Sequence, residues 1–487
     1  MTCMFRTSTP CSHRFRAFVL AAASAGALLL VLLHGTKAVA AEGNASPVMS
    51  SSCGFSDAPF DTATDIHAVE QYQVVIAQLL KQEKFAQLDC IADGLRATKA
   101  RFSGGAWKLR NFYIGLDSPR PGHPTQEDWR HHLALMERWT QLRPHSATAH
   151  IALAESYISY GWDARGNVYA DDVTNSGWKL FGQRAEKARQ ILIATPTLKK
   201  KCPDWYIAMQ QVAQAQSWDL PKATALLQEA IAFEPGYQYY YRTYAYTLLP
   251  KWGGADGDSA RFAEESANRL GGDDGDILYF LIASKVVCAC QEPEFSFFSW
   301  PRLQKGYAAT ERKYGPDLLN VNNLGMMAVK AGDWVVAAPA FDKIGDQWSK
   351  DVWLTETWFK SNQAMAKSTS AAQARSRAIQ QEADANGKTP EGIAYRKDFD
   401  YRMSAIEQPC LERAKQDPSE FDFLVSVGKD GGVEDAWGTH PTPVMQCLMK
   451  AMYDGHIKNE KPFPAPPKAP FWVSVHVDPS KANTAMK

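Results

Sequence analysis

Residues 71–95 read QYQVVIAQLLKQEKFAQLDCIADGL, and their apolar side chains recur every three or four places. Tyr72, Val75, Ile76, Leu79 and Leu80 form one stripe. Phe85, Leu88, Ile91, Ala92 and Leu95 form the next, after a break at Glu83-Lys84. That period belongs to an amphipathic helix, not to a strand. Two short helices joined this tightly make a hairpin. Neither can bury its stripe alone, so further hairpins must stack on it. The same period continues over residues 61–366, which defines a helical-hairpin domain.

Two stretches within it resemble tetratricopeptide (TPR) repeats. Ala223, Leu227, Ala230 and Pro235 have the spacing of the second helix of that repeat: small residues where helices approach, Leu in the seam, Pro at the stop. Leu324-Gly325, Gly332, Ala337 and Phe341 give a second match. Ala223 and Ala337 are 114 residues apart, which is not a multiple of the roughly 34-residue repeat. The expectation is an irregular TPR-like superhelix.

Aromatic connectors interrupt the helices: Phe102 to Tyr113, Tyr160 to Gly166, and Tyr239-Tyr240-Tyr241 followed by Leu249-Pro250-Lys251-Trp252-Gly253-Gly254. Taken together they resemble a family of bacterial exported TPR-like proteins. Its members carry Phe-x-Gly-Gly-x-Trp-Lys-Leu, Trp-x-Ala-Arg-Gly and Leu-Pro-Lys/Arg-Trp-Gly-Gly segments in that order. The resemblance covers about residues 60–345. It implies a fold and export, and no activity.

The connectors also hold the candidate contact residues. Arg165 can clamp a carboxylate while Trp162 stacks on a ligand; the plainer reading is an Asp163–Arg165 pair at a helix end. Trp252 can face a ligand from its glycine turn, or pack in the core. Six tyrosines fall between Tyr237 and Tyr246. One helix cannot bury all of them, so Tyr239 and Tyr241 are taken as groove residues and the rest as core. His131 and His132 are adjacent, about 100° apart on a helix, and cannot share a metal. Gly271-Gly272-Asp273-Asp274-Gly275-Asp276 lacks the ligand spacing of a calcium loop and reads as a connector between helices. No nucleophile elbow, zinc-protease or phosphate-loop motif is present, so no catalytic residue, metal or cofactor is expected.

The N-terminus sets the compartment. Arg6, Arg14 and Arg16 precede the 17-residue apolar run Ala17–Leu33, and Ala38-Val39-Ala40 supplies a small-x-small cleavage site. Residues 1–40 therefore read as a secretory signal cut after Ala40, and 41–60 as a flexible lead-in. No later run is long enough to span a membrane. Lys+Arg and Asp+Glu both number 53. Removing residues 1–40 takes four basic residues and no acid, so 49 face 53 and the net charge is −4. Nothing in that balance attracts nucleic acid. Seven cysteines remain: Cys53, Cys90, Cys202, Cys288, Cys290, Cys410 and Cys447. Export favours disulfides among them, and the odd number leaves one over. Proximity alone suggests Cys53–Cys90.

After Lys367 the chain turns Ser-, Ala- and Gln-rich, so 367–395 is a linker or polar helix. Over 396–487 the pattern changes. A helix near Asp398–Lys415 is followed by Phe421, Phe423, Val425 and Val427 alternating with Asp422, Leu424 and Ser426. That is a strand, turned at Lys429-Asp430-Gly431-Gly432 into a second one over Val433–Trp437. Pro443 opens a helix, and Phe471, Val473, Val475 and Val477 mark a last strand. This order, with a Pro-rich lead-in, resembles the TonB C-terminal domain. The resemblance implies a Cys410–Cys447 disulfide, a closure worth roughly 4 kcal/mol in chain entropy. It also implies that a short peptide can add to the sheet edge.

The whole reads as a mainly α protein: a TPR-like superhelix followed by a small α+β domain, exported to the periplasm or beyond. Its groove is expected to hold an unknown envelope protein or peptide. The competing readings are an enzyme acting on cell-wall glycan or peptide, and a purely structural self-assembling protein.

Overall fold

A computed structural model describes residues 53–56, 60–119, 124–166, 172–194, 202–287, 294–411, 419–438, 442–457 and 461–479. The signal segment and the 41–52 lead-in, with Cys288 and Cys290, lie outside them. The chain divides into two compact units. One runs to Ala331 and resumes over Ala340–Lys360; the other takes Gly332–Pro339 and Ser361 onward.

The first unit is built of helix pairs. They are α1 (Ala68–Lys81) with α2 (Phe85–Thr98) and α5 (Ala147–Arg165) with α6 (Asn175–Ala194), while between them α3 (Lys108–Leu116) packs on α1 and α5, and α4 (Gln126–Leu142) on α5. Then come α7 (Asp204–Ala215) with α8 (Leu220–Phe233), α9 (Tyr239–Thr247) with α10 (Asp258–Leu270), and α11 (Gly272–Val286) with α12 (Trp300–Tyr314). α13 (Leu318–Lys330), the end of α14 (Trp334–Ile344) and the one-turn α15 (Lys350–Trp353) follow. Local chemistry starts many of them. Thr125 and Asp128 form a capping box at α4, and Ser146, Asp219 and Asp317 each accept from the third backbone N–H of α5, α8 and α13.

The stripes read from the sequence face inward. Tyr72, Ile76 and Leu80 are buried, as are Phe85, Leu88, Ile91, Ala92 and Leu95. α8 stops at Phe233, two residues before Pro235. Gly325 brings α13 against Trp353, Ala340 and Ile344, with an added Cβ only 3.4–3.5 Å from each. The odd-numbered helices form a continuous row in which α1 touches α3, α3 touches α5, and so on through α7 and α9 to α11. Each of α4, α6, α8, α10 and α12 packs on the odd helix that follows it in sequence. Stacked hairpins bury one continuous core by this means.

The loop between α2 and α3 closes this row on itself. Ser103 Oγ donates to the carbonyls of Tyr314 and Pro316, and Asn320 Nδ2 donates to the Gly104 carbonyl (3.1 Å). On the other side Gln238 Nε2 donates to the Gly105 carbonyl, while Trp107 Nε1 donates to Gln238 Oε1 (2.8 Å). Gly104 sits at φ 77°, and a Cβ there would lie 2.2 Å from the Asp317 Cβ. Only glycine fits that approach.

The second unit holds the latter part of α16 (Glu356–Asn386), α17 (Pro390–Leu411), β1 (Phe421–Val427), β2 (Val433–Gly438), α18 (Pro443–Ile457) and β3 (Phe471–Val477). The sheet is antiparallel in the order β2-β1-β3, with Phe423 opposite Val475 and Val425 opposite both Val473 and Ala436. Phe421, Phe423, Val425 and Val427 pack on Phe399 and Met403 of α17 and on Leu448 of α18. The second face is covered as well: Leu424 and Trp472 meet Ile379 and Ala383 of α16. The polar 367–395 segment is thus helix on both sides of a short break, and its first helix is part of this core.

Disulfides join Cys53 to Cys90 and Cys410 to Cys447, and Cys202 is a buried free thiol. On β3, the Trp472 carbonyl accepts from Asn386 Nδ2 (3.1 Å) and the Ser474 carbonyl from Arg396 Nη1. Carbonyls two residues apart share one strand edge, so side chains already occupy part of the edge at which a peptide would add.

Three stability measurements check this account. Gly104→Ala should cost about 2–4 kcal/mol in urea unfolding, from left-handed strain plus overlap with Asp317. Gly182→Ala is in α6 with open space around it and should be neutral or gain up to about 1 kcal/mol. Replacing Cys410 and Cys447 together by Ser should lower the stability of the sheet unit by about 2–4 kcal/mol. An unchanged transition would mean that the cross-link adds nothing there.

Candidate functional site

A buried ionic cluster holds the inner row together. Arg110 on α3 donates through Nη1 to Glu155 Oε1 on α5 (2.6 Å) and to Asp204 Oδ1 at the start of α7 (2.8 Å). Tyr237, just before α9, donates its hydroxyl to Asp204 Oδ2 (2.7 Å). All four side chains are buried. One guanidinium faces two carboxyls, so the charges balance only if one carboxyl keeps its proton. Burial pushes Glu155 up to about 8 despite the pull of Arg110, and its Oε2 has no hydrogen-bond partner. Burial also raises Asp204, again against Arg110. Burial thus favours one protonated carboxyl in the cluster, and Glu155 is the one pushed up to about 8.

Above that cluster two cavities open along the odd-numbered helices. The larger, of about 610 Å³, is walled by α3, α5, α7, α9 and α11, with Arg110, Trp162, Gln211, Tyr246 and Lys285 in its lining. The smaller, of about 240 Å³, runs from α9 and α11 toward α1 and α13, past Val69, Asp317 and Asn320. Burial pushes the Asp317 carboxyl up to about 6. The two meet at Ile114, Tyr239 and Arg242. They form one groove with its waist at α9.

Arg242 is the unusual group at the waist. Its guanidinium lies 5.2 Å from the Tyr239 ring centre, and its Nε is buried with no hydrogen-bond partner. Burial lowers its pKa, and the Tyr239 phenol is the one group that opposes the shift. Arg110 has two carboxyls for its charge; among the described residues Arg242 has none.

The sequence-picked residues fall in different places. Tyr239 and Trp162 line the groove. Trp252 stands behind Trp162, edge-on to it at 5.7 Å, and lines a separate cavity. Arg165 lies 5.9 Å from the Trp162 ring and 5.3 Å from the Trp178 ring and donates to the Gly166 carbonyl, outside the groove lining. Tyr241 is buried in the core with Tyr237, Tyr240 and Tyr244. His132 is a core histidine, within 3.1 Å of the Leu116 carbonyl and Ser156 Oγ, and burial lowers it to about 4. No cluster of His, Cys, Asp or Glu among the described residues is arranged to hold a metal.

The acidic glycine stretch is not a loop. Only Gly271 links α10 to α11; Asp273 and Asp274 occupy the first turn of α11 and pair with Arg312 and Lys313. That position also favours acids through the helix dipole. Arg242, Tyr246 and Lys285 are groove residues that the sequence reading passed over. A signal existed for the first two: Tyr239, Arg242 and Tyr246 are spaced by three and four, so they share one face of α9.

No family model, no curated protein and no solved structure matched the chain.

The buried cluster makes stability depend on pH. An unfolded Glu155 ionises near 4.5, whereas the folded one keeps its proton to about 8. The fold holds the extra proton between those values, so stability falls as pH rises through that window. Asp204 adds a slope of the same sign. Urea midpoints taken from pH 5 to pH 8 should therefore fall less for Glu155→Gln than for the native chain. Equal slopes would mean that Glu155 is ionised in the fold.

Proposed function

We propose that this chain is an exported binding protein of the cell envelope whose TPR-like groove takes a peptide segment of a partner protein. The observation that carries this reading is the groove at α9, where Trp162, Tyr239 and Tyr246 line the space with Arg242, a half-buried cation that pairs with no acid among the described residues, Asp117 and Asp163 of the same lining included. Such a charge is costly to keep unless a ligand neutralises it. Trp162, Tyr239 and Tyr246 supply the rigid aromatic surface on which recognition sites are commonly built. The ligand segment is therefore one with a carboxylate flanked by apolar side chains.

The lining by the first helix of each hairpin supports the TPR-like assignment, because that is the inner face of stacked hairpins. Order and pairing in the second unit support a TonB C-terminal-like module. It acts as a structural or accessory contact, since its β3 edge is partly occupied. Export rests on the N-terminal signal pattern. Two disulfides agree with it, and no described helix is long and apolar enough to cross a membrane.

The test is affinity capture from the envelope of the exporting cell, with residues 41–487 as bait. A bound protein should be retained by the native chain and lost by about tenfold or more with Arg242→Ala or Tyr239→Ala. Tyr241→Phe, a core change, should retain it. Recovery of the bait alone, folded and at good yield, would sink the reading.

A further inference from the structure

Behind the groove wall lies a second, separate cavity of about 390 Å³, enclosed by α6, α7, α8, α9 and the turn after α9. Five aromatic rings line it: Trp178, Phe181, Trp218, Tyr244 and Trp252. Trp252 is held by a rigid device. Pro250–Trp252 forms one 3-10 turn, Trp252 N donates to the Leu249 carbonyl (2.8 Å), and Gly253 N donates to the Pro250 carbonyl (3.0 Å). Gly254 then passes so near Leu248 that a Cβ would lie 1.8 Å from its carbonyl oxygen. The Leu-Pro-Lys-Trp-Gly-Gly segment thus fixes one indole against the cavity.

Three residues in the lining each carry a buried polar atom without a hydrogen-bond partner: Gln210 Oε1, Gln214 Nε2 and Trp252 Nε1. Native proteins leave few such atoms, each at a cost of about 1–3 kcal/mol, and these three gather at one cavity. They comprise two donors and one acceptor. Among the described residues the only charged one in the lining is Asp258. Its carboxylate is already taken, by the Ala255 N–H (2.8 Å) and by Arg261. The nearest cations, Lys222 over the Trp218 ring (3.5 Å) and Arg165 by the Trp178 ring (5.3 Å), are stacked on indoles and are not in the lining, and a cation would find only a committed acid. A purely apolar ligand would leave the three polar atoms unpaired.

We propose that this cavity is a site for a neutral sugar of one or two pyranose rings. A pyranose presents flat faces of C–H groups to aromatic rings and an equatorial rim of hydroxyls that both donate and accept. The indoles of Trp178 and Trp252 would take the faces, Trp218 already carrying Lys222 on its ring; Gln210, Gln214 and the Trp252 N–H would take the rim. The volume fits one or two rings and excludes a folded partner. This site is independent of the peptide groove, although Gln214 lies in the lining of both.

The tryptophans report on the site directly. Residues 41–487 would be titrated with glucose, N-acetylglucosamine, maltose and the β-1,4 dimer of N-acetylglucosamine, with tryptophan emission followed. At least one sugar should give a saturable change. Gln214→Leu should weaken it about tenfold or more, the loss of a hydrogen bond whose partner stays buried. Trp178→Ala should weaken it similarly; this ring is 38% exposed, so the variant can fold where a core change would not. Circular dichroism checks that both variants are helical. No saturable change with any of the four sugars, or a change that both folded variants leave unaltered, would overturn the proposal.

Discussion

The Arg110 guanidinium lies between Glu155 and Asp204 almost out of reach of water, and the stacking of α3, α5 and α7 depends on it. Tyr237 extends the same cluster to the start of α9. Removing Arg110 or Asp204 would strand a buried charge, a penalty larger than the pair's own net worth. The cluster is therefore a poor source of stability and a strong source of specificity. Another register of these helices would leave a carboxyl or the guanidinium unmatched. Apolar stripes alone tolerate small slips; this ionic set does not.

Fixing the inner row also creates the site. Helices stacked at a set rotation turn one face toward a common axis, and the α2–α3 loop then meets both the α8–α9 and α12–α13 connections. That contact narrows the space between α3 and α9, where Ile114 faces Tyr239 and Arg242. Arg101 reinforces it, 4.2 Å over the Trp107 ring and 5.0 Å from the Tyr314 ring. The Phe-Ser-Gly-Gly-Ala-Trp segment therefore acts as a clasp. Its glycines serve backbone approach, and its Trp serves a buried hydrogen bond.

Helical period and strand alternation were legible because burial imposes them locally. Phe85, Leu88 and Ile91, or Phe421 and Phe423, declare their faces within a few residues. The ionic cluster was not legible. Arg110 is 45 residues from Glu155 and 94 from Asp204, and no local pattern links them. The second face of the sheet was hidden for a related reason. Leu424 and Trp472 sit at alternate positions that read as outward, and Ile379 and Ala383 cover them from a helix whose composition reads as polar. Tyr239 and Tyr241 show the limit within a single helix. Both looked available, but two residues along a helix is about 200°, so when one faces the groove the other must face the core.

Arg110 and Arg242 carry the same charge into the same row of helices and meet opposite fates. Arg110 is compensated twice over, to the extent that one of its acids must stay protonated. Arg242 has only the face of Tyr239, and cation–ring attraction is worth about 0.5–2 kcal/mol, well short of the several kcal/mol that burying a charge costs. A chain selected for stability alone would place a neutral residue there. Other groups of that helix join it to the row, as with the Tyr240 carbonyl, which accepts from Gln210 Nε2 of α7 (3.3 Å). Unspent charge at the waist of a groove is what a binding site keeps at the expense of its fold. In the proposed function, the contrast between the two arginines thus separates the part of the inner row that builds the protein from the part that would meet a ligand.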